Sequence, residues 1–122
     1  MTAYVAEPLC SEAQRELAGA RGPAGELRVR AVCLPDPRSG EKLDLATIGA
    51  NARSATEDST AIAYIEALDP PANRFSEPIL ETAELAGIYR SSGQKAMTQL
   101  LEAIQAWDGG SLRKSVRDSF NP

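Results

Sequence analysis

The sequence predicts an α/β fold: a three-layer sandwich built on a four-stranded, mainly parallel sheet. Three observations carry that expectation. Leu45, Ile48, Ala52 and Ala55 recur at three- and four-residue spacing and so share one face of a helix. Thr60 to Ala67, TAIAYIEA, follows at once as a short apolar, β-prone run, the pattern of a strand buried on both faces. Segments of these two kinds then alternate along the chain, as a parallel sheet covered on both faces requires.

Taken in order, Ala3 to Leu9 is a β-prone run ending at Pro8 and reads as the first strand. Ser11 suits an N-cap, with Gln14 at the capping-box position, so Glu12 to Ala20 reads as a short helix closed by Gly19, Gly22 and Pro23. After a turn at Ala24–Glu26, Leu27 to Leu34 alternates apolar and polar residues as an outer strand does. Pro35 to Lys42, with two prolines and a glycine, is a loop. Asp44 caps a helix over Leu45–Glu57, and Asp58 and Ser59 separate it from the strand Thr60–Ala67. Asp69, Pro70 and Pro71 make a hard break.

Asn73 to Ala86 reads as a third helix with Phe75, Ile79, Ala83 and Ala86 on one face, Pro78 at a turn or kink, and Gly87 as its stop. Ile88 to Ser92 is a brief fourth strand. Gln94 to Trp107 carries the broadest apolar stripe in the chain, Ala96, Met97, Leu100, Leu101, Ile104 and Trp107, and ends at Asp108-Gly109-Gly110. Ser111 caps a last helix, Leu112–Phe120.

At 122 residues the chain has room for one domain, 1–122, which buries about two-thirds of its unfolded surface. Its 43% apolar and 25% charged residues set it apart from disordered and membrane classes. A net charge of −4 leaves no basic excess for phosphates, which argues against nucleic acid as a partner. Arg113, Lys114 and Arg117 alternate with acid and read as a solvated helix face. No run approaches the ~20 apolar residues of a membrane span, and MTAYVAEPLC has neither the charged nor the apolar region of a signal peptide.

The chain has no histidine, so the commonest general base and the commonest metal ligand are both missing. No phosphate-binding glycine loop is present, and no cofactor or metal is expected. Cys10 and Cys33 permit one disulfide, with two buried thiols as the alternative. Ser91, Ser92 and Gly93 precede a helix, where free N–H groups either favour an anion or are simply capped. Asp36 and Asp69 fall at carboxyl ends of strands, where open α/β sheets bind ligands, but turn roles are the favoured reading of both. Two carboxylates alone make a poor cation site.

Several ordered motifs carry a resemblance. GANARSATEDSTAIAYI (49–65), SEPILETAELAGI (76–88) and a tail in which Gly93, Ala96, Met97, Leu101, Ala103, Ile104, Val116, Arg117, Asp118 and Phe120 stand out are similar to stretches of the amino-acid-binding proteins of ABC transporters. The branched-chain amino-acid type, with the type I periplasmic binding fold, is the family they resemble. Members have two lobes with the ligand held between them. Here the fourth strand runs almost directly into the helix that, in the family, follows the second lobe. The resemblance therefore implies one flavodoxin-like or Rossmann-like lobe and an extracytoplasmic setting. It also implies a non-catalytic role in binding an amino-acid-like molecule or a protein partner, with Ser91 and Ser92 as ligand residues and a homodimer through the strand-end face; Asp69 joins them as a ligand residue by its strand-end position. The family's Gly/Ser-rich loop after the third strand is replaced by Glu66-Ala67-Leu68-Asp69-Pro70-Pro71, so only the serines match a ligand loop. The alternatives are a small flavodoxin-like regulatory or enzymatic domain, and a remnant without ligand.

Overall fold

A computed structural model of the chain describes residues 1–19, 29–40, 42–67 and 72–120. Its strands are β1 (Thr2–Ala6), β2 (Arg30–Leu34), β3 (Arg38–Ser39), β4 (Lys42–Leu43), β5 (Ala61–Glu66) and β6 (Ala86–Tyr89). Its helices are α1 (Cys10–Gly19), α2 (Leu45–Glu57), α3 (Glu77–Thr82), α4 (Gly93–Gln105) and α5 (Leu112–Phe120), with a 3₁₀ turn at Ala72–Phe75. The main sheet has the order β2-β1-β5-β6 and every neighbouring pair is parallel. Parallel neighbours cannot be joined by a tight turn, so a crossover lies between each successive pair: α1, then α2, then α3. The fold is the three-layer α/β sandwich that the alternation of segments requires.

Helices α1, α4 and α5 cover one face of the sheet, α2 and α3 the other. Ala3, Val5, Ala63, Ile65 and Ile88 pack beneath the first group with Met97, Leu100 and Val116. Tyr64 packs beneath the second with Ala52, Ala55, Leu80 and Leu85. Every residue of β5 is buried, the consequence of a continuous apolar run flanked by strands and covered on both sides. Thr2 pairs with Ala61 but Ala3 with Ala63, so Ile62 is an extra residue. The bulge lets Ile62 and Ala63 enter the same core while Ala61 turns to the opposite one. In α4, Met97, Leu100 and Ile104 are buried, each contributing about 1.5–3 kcal/mol over exposure.

The structure differs from the sequence expectations in several places. Asn73 to Ala86 is not one helix. Pro78 has no N–H for the Arg74 carbonyl, so it falls in the first turn of α3, where no such bond is needed. Glu84 then takes a positive φ of 55°, the Leu85 N–H closes on the Leu80 carbonyl at 3.0 Å, and Ala86 enters the sheet. Gly87 is therefore a strand residue, not a helix stop: a Cβ there would stand 2.9 Å from the Tyr89 hydroxyl. The 35–42 loop contains one side of a small antiparallel hairpin, β3 with β4, turned at Gly40 with φ 63°. The first strand stops at Ala6 and α1 starts at Cys10, with Glu7–Pro8 in the cis form between them.

Arg113 corrects the reading of a solvated basic face. It donates to the carbonyls of Ala61 (2.9 Å), Asp58 (2.9 Å) and Ala83 (3.2 Å), closing the amino end of the sheet. The expected turn at Ala24–Glu26, the start of the second strand at Leu27 and the Asp69-Pro70-Pro71 break lie outside the described residues. Among the described residues, no helix is long and apolar enough to cross a membrane.

Candidate functional site

The carboxyl ends of the four parallel strands face one way, and α2, α3 and α4 all begin at that end. Asp44 and Ser92 close two of those helix starts. The Asp44 carboxylate accepts from the Ala46 and Thr47 N–H groups and the Thr47 hydroxyl; that hydroxyl bond, foremost, holds its carboxyl below the usual range. Ser92 Oγ accepts the Lys95 N–H at 3.2 Å and caps α4. Ser91 is exposed beside it, at the end of β6. Asp36 is committed to its own turn, accepting the Arg38 N–H at 2.9 Å and its Nε at 3.4 Å. Asp69 lies outside the described residues.

Beneath this face runs a buried polar chain. Glu66, the last residue of β5, has no exposed surface. The Tyr64 hydroxyl donates to its Oε1 at 2.6 Å and the Ser76 hydroxyl to its Oε2 at 3.1 Å. Ser76 has one proton to give, so its 2.7 Å contact with the Tyr89 hydroxyl is a bond in which Tyr89 donates. The Asn73 carbonyl, 3.1 Å from Ser76 Oγ, is a second acceptor for that proton. No salt bridge reaches Glu66 among the described residues. Burial pushes its carboxyl above the usual range, against the two hydroxyls that stabilise the anion. Burial likewise raises both phenols, Tyr64 with the added repulsion of Glu66.

No protein-family model, curated protein or solved structure matches this chain.

The site is therefore defined by its own geometry. A cleft of about 140 Å³ borders the open edge of β6, lined by Glu77, Glu81, Gly87 and Tyr89. That is below the ~300 Å³ of an enclosing small-molecule pocket. Two large apolar side chains stand out as exposed: Leu45 at 47% and Phe75 at 48%. Leu45 opens α2 and Phe75 ends the 3₁₀ turn that follows β5, so both belong to the carboxyl end of the sheet. Arg90, which follows β6, is drawn back onto α4 by its 2.9 Å bond to Gln99.

The structure joins Cys10 to Cys33 at the other side of the same end, with Cα atoms 5.6 Å apart. Cys33 lies opposite Val5 in the β1–β2 register and Cys10 begins α1, so the bond ties the first crossover helix to an edge strand. The Glu7 carboxylate and both sulfurs lie within 4.8 Å of one another. Ser91 and Ser92 stand at the β6 edge and the cysteines at the β2 edge; the fold brings them to one end, not into one pocket. The Glu66 chain was missed in the sequence because an acid after an apolar run reads as the start of a loop. The signal was Tyr64 two residues earlier, on the same face of the strand.

Proposed function

We propose that this chain is a non-catalytic, single-lobe solute-binding module of the type I periplasmic kind. It takes an amino-acid-like molecule at the carboxyl ends of its strands, and a second copy of the chain covers that face where the family's other lobe would stand. The observation that carries the proposal is the position of Leu45 and Phe75. Among the described residues, the two exposed large apolar side chains both stand at the end of the sheet where a ligand and a partner would meet it. Where such side chains join in one patch they mark an interaction face.

Two further features support it. Only Arg90, Ser91 and Ser92 separate β6 from α4, so the chain passes directly to the helix that resembles the one after the family's second lobe. The Cys10–Cys33 bond suits an oxidising compartment, in keeping with work in the cell envelope beside an ABC transporter for amino acids. The ligand's carboxylate finds the exposed Ser91 hydroxyl and the start of α4, where the helix dipole favours negative charge.

Sedimentation velocity across a concentration series, with thermal melts against a panel of free amino acids, tests both halves. The expected result is a dimer that Leu45→Glu or Phe75→Glu converts to monomer, and a rise in Tm with a subset of the panel that Ser91→Ala reduces. A monomer at every concentration together with unmoved melts for every amino acid overturns the proposal.

A further inference from the structure

The three side chains at the carboxyl ends of β1 and β2 have a chemistry that the binding proposal does not use. Cys10, Cys33 and Glu7 offer two sulfurs and a carboxylate oxygen within 4.8 Å of one another. Each is set by the backbone. The Glu7 N–H bonds the Leu34 carbonyl at 2.9 Å, fixing the turn after β1 to the end of β2. Cys10 is fully buried at the first residue of α1, and Cys33 is held in β2 opposite Val5. The Glu7 carboxylate sets an oxygen lone pair beside the sulfurs. Gln14 Nε2 points at Cys33 Sγ from 3.4 Å and also bonds the Ala31 carbonyl, as a group that orients and stabilises a thiolate ligand does. The start of α1 favours negative charge on the Cys10 sulfur.

We propose that, once the Cys10–Cys33 bond is reduced, Cys10, Cys33 and Glu7 form a Zn²⁺ site, so that the disulfide and the metal are alternative closures of one position. The chemistry balances. A phosphine reductant takes up oxygen from water to become its oxide, the S–S bond breaks, and two thiols result. Zn²⁺ then displaces both thiol protons to solvent and binds two thiolates and the carboxylate, with water in the fourth position. Zn–S bonds of about 2.3 Å in a tetrahedron put the sulfurs about 3.8 Å apart. Side-chain rotation about fixed Cα atoms 5.6 Å apart reaches that separation, and the Glu7 oxygen lies within 4.8 Å of both sulfurs, so rotation of the Glu7 side chain completes the set. Two thiolates with an oxygen ligand select a borderline-soft ion such as Zn²⁺ over Mg²⁺ or Ca²⁺.

The test is an anaerobic titration of Co²⁺, a coloured stand-in for Zn²⁺, into the full chain reduced with a phosphine. The expected result is a thiolate-to-metal charge-transfer band with the intense visible bands of tetrahedral Co²⁺, saturating at a single ion per chain and bleached by Zn²⁺. The oxidised chain shows neither. Gln14→Ala weakens Zn²⁺ affinity about 10–100-fold, as loss of an outer partner does, and Glu7→Gln, which keeps both cysteines, weakens it more. Absence of the charge-transfer band overturns the proposal. So does an equal affinity in Glu7→Gln, the result given by two thiols acting alone or by an unfolded reduced chain, and so does equal uptake by the oxidised chain.

Discussion

Replacing Glu66 separates two properties of a buried acid, its shape and its charge. In Glu66→Gln the amide oxygen still accepts from Tyr64, the amide N–H₂ donates to Ser76 Oγ, and Ser76 turns its proton to the Asn73 carbonyl 3.1 Å away. Every polar atom keeps a partner and no buried charge remains. In Glu66→Ala the Tyr64 hydroxyl is stranded, at a cost of about 1–3 kcal/mol, and the lost side-chain volume adds about 1 kcal/mol. The alanine variant is therefore expected to lose about 2–4 kcal/mol by these two effects, and the glutamine variant to match or exceed the parent at neutral pH.

The charge has its own signature. The carboxyl is raised in the folded state, so the native chain holds the proton where the unfolded chain has released it. That stabilisation is fully present below the ordinary value of 4.5 and is lost as pH rises toward the folded value. The slope reaches at most about 1.4 kcal/mol per pH unit. Urea unfolding of both variants and the parent from about pH 4 to about pH 8 reads it directly. The advantage of Glu66→Gln over the parent should grow with pH and then level off. A difference that stays flat with pH, or a glutamine variant as unstable as the alanine one, refutes the reasoning.

Three further outcomes follow from the amino end of the sheet and one close contact. Arg113→Met removes the guanidinium's bonds to the carbonyls of Asp58, Ala61 and Ala83, of which Asp58 keeps the Ala61 N–H at 3.0 Å, and is expected to cost about 2–4 kcal/mol in urea unfolding, given about 1.5–3 for a single charged hydrogen bond. Asp58 is lowered to about 2, chiefly by the Tyr4 hydroxyl at 2.7 Å and then by Thr60. The stability it carries is full above the ordinary value of 3.8 and is lost as pH falls toward about 2, so Tyr4→Phe should move the acid unfolding midpoint, followed by circular dichroism, to higher pH. Gly93→Ala drives a Cβ into the Leu9 carbonyl oxygen, a backbone atom that cannot turn aside; a loss of about 1–3 kcal/mol is expected by thermal melting.

Where one periodicity dominates a segment, the sequence was legible. Both α2 and α5 run as their spacing and caps imply, and β5 is buried throughout as its unbroken apolar run implies. The stretch from 73 to 86 was not legible, because the apolar spacing continues across Pro78 and Glu84 while the backbone does not. There the decisive facts are a missing N–H and one positive φ, which leave no trace in hydrophobic pattern. The site was the least legible part. Ser76 meets Glu66 across ten residues of chain and Arg113 meets Asp58 across 55, and both pairings are set by how layers stack. Composition shows that such groups exist, but only the fold brings each to its acceptor.

The two ends of the sheet are finished in different ways, and that difference bears on function. At the amino end the polar groups turn inward onto one another: Tyr4 on Asp58, Thr2 on Thr60 at 2.8 Å, Arg113 on three carbonyls. Such an end is satisfied without any partner. At the carboxyl end the polar chain from Tyr64 through Glu66 and Ser76 to Tyr89 lies below the surface and fixes the end of β5, the start of α3 and the end of β6 to one another. Leu45, Phe75 and Ser91 are exposed at this same end. For the binding face proposed above, a hydrogen-bonded support beneath it would lower the ordering cost of association. Substitutions at the amino end should therefore change stability and leave association untouched. If the chain dimerises as proposed, substitutions at Leu45 or Phe75 should do the reverse, and a stable variant that loses self-association would place the interface on this face.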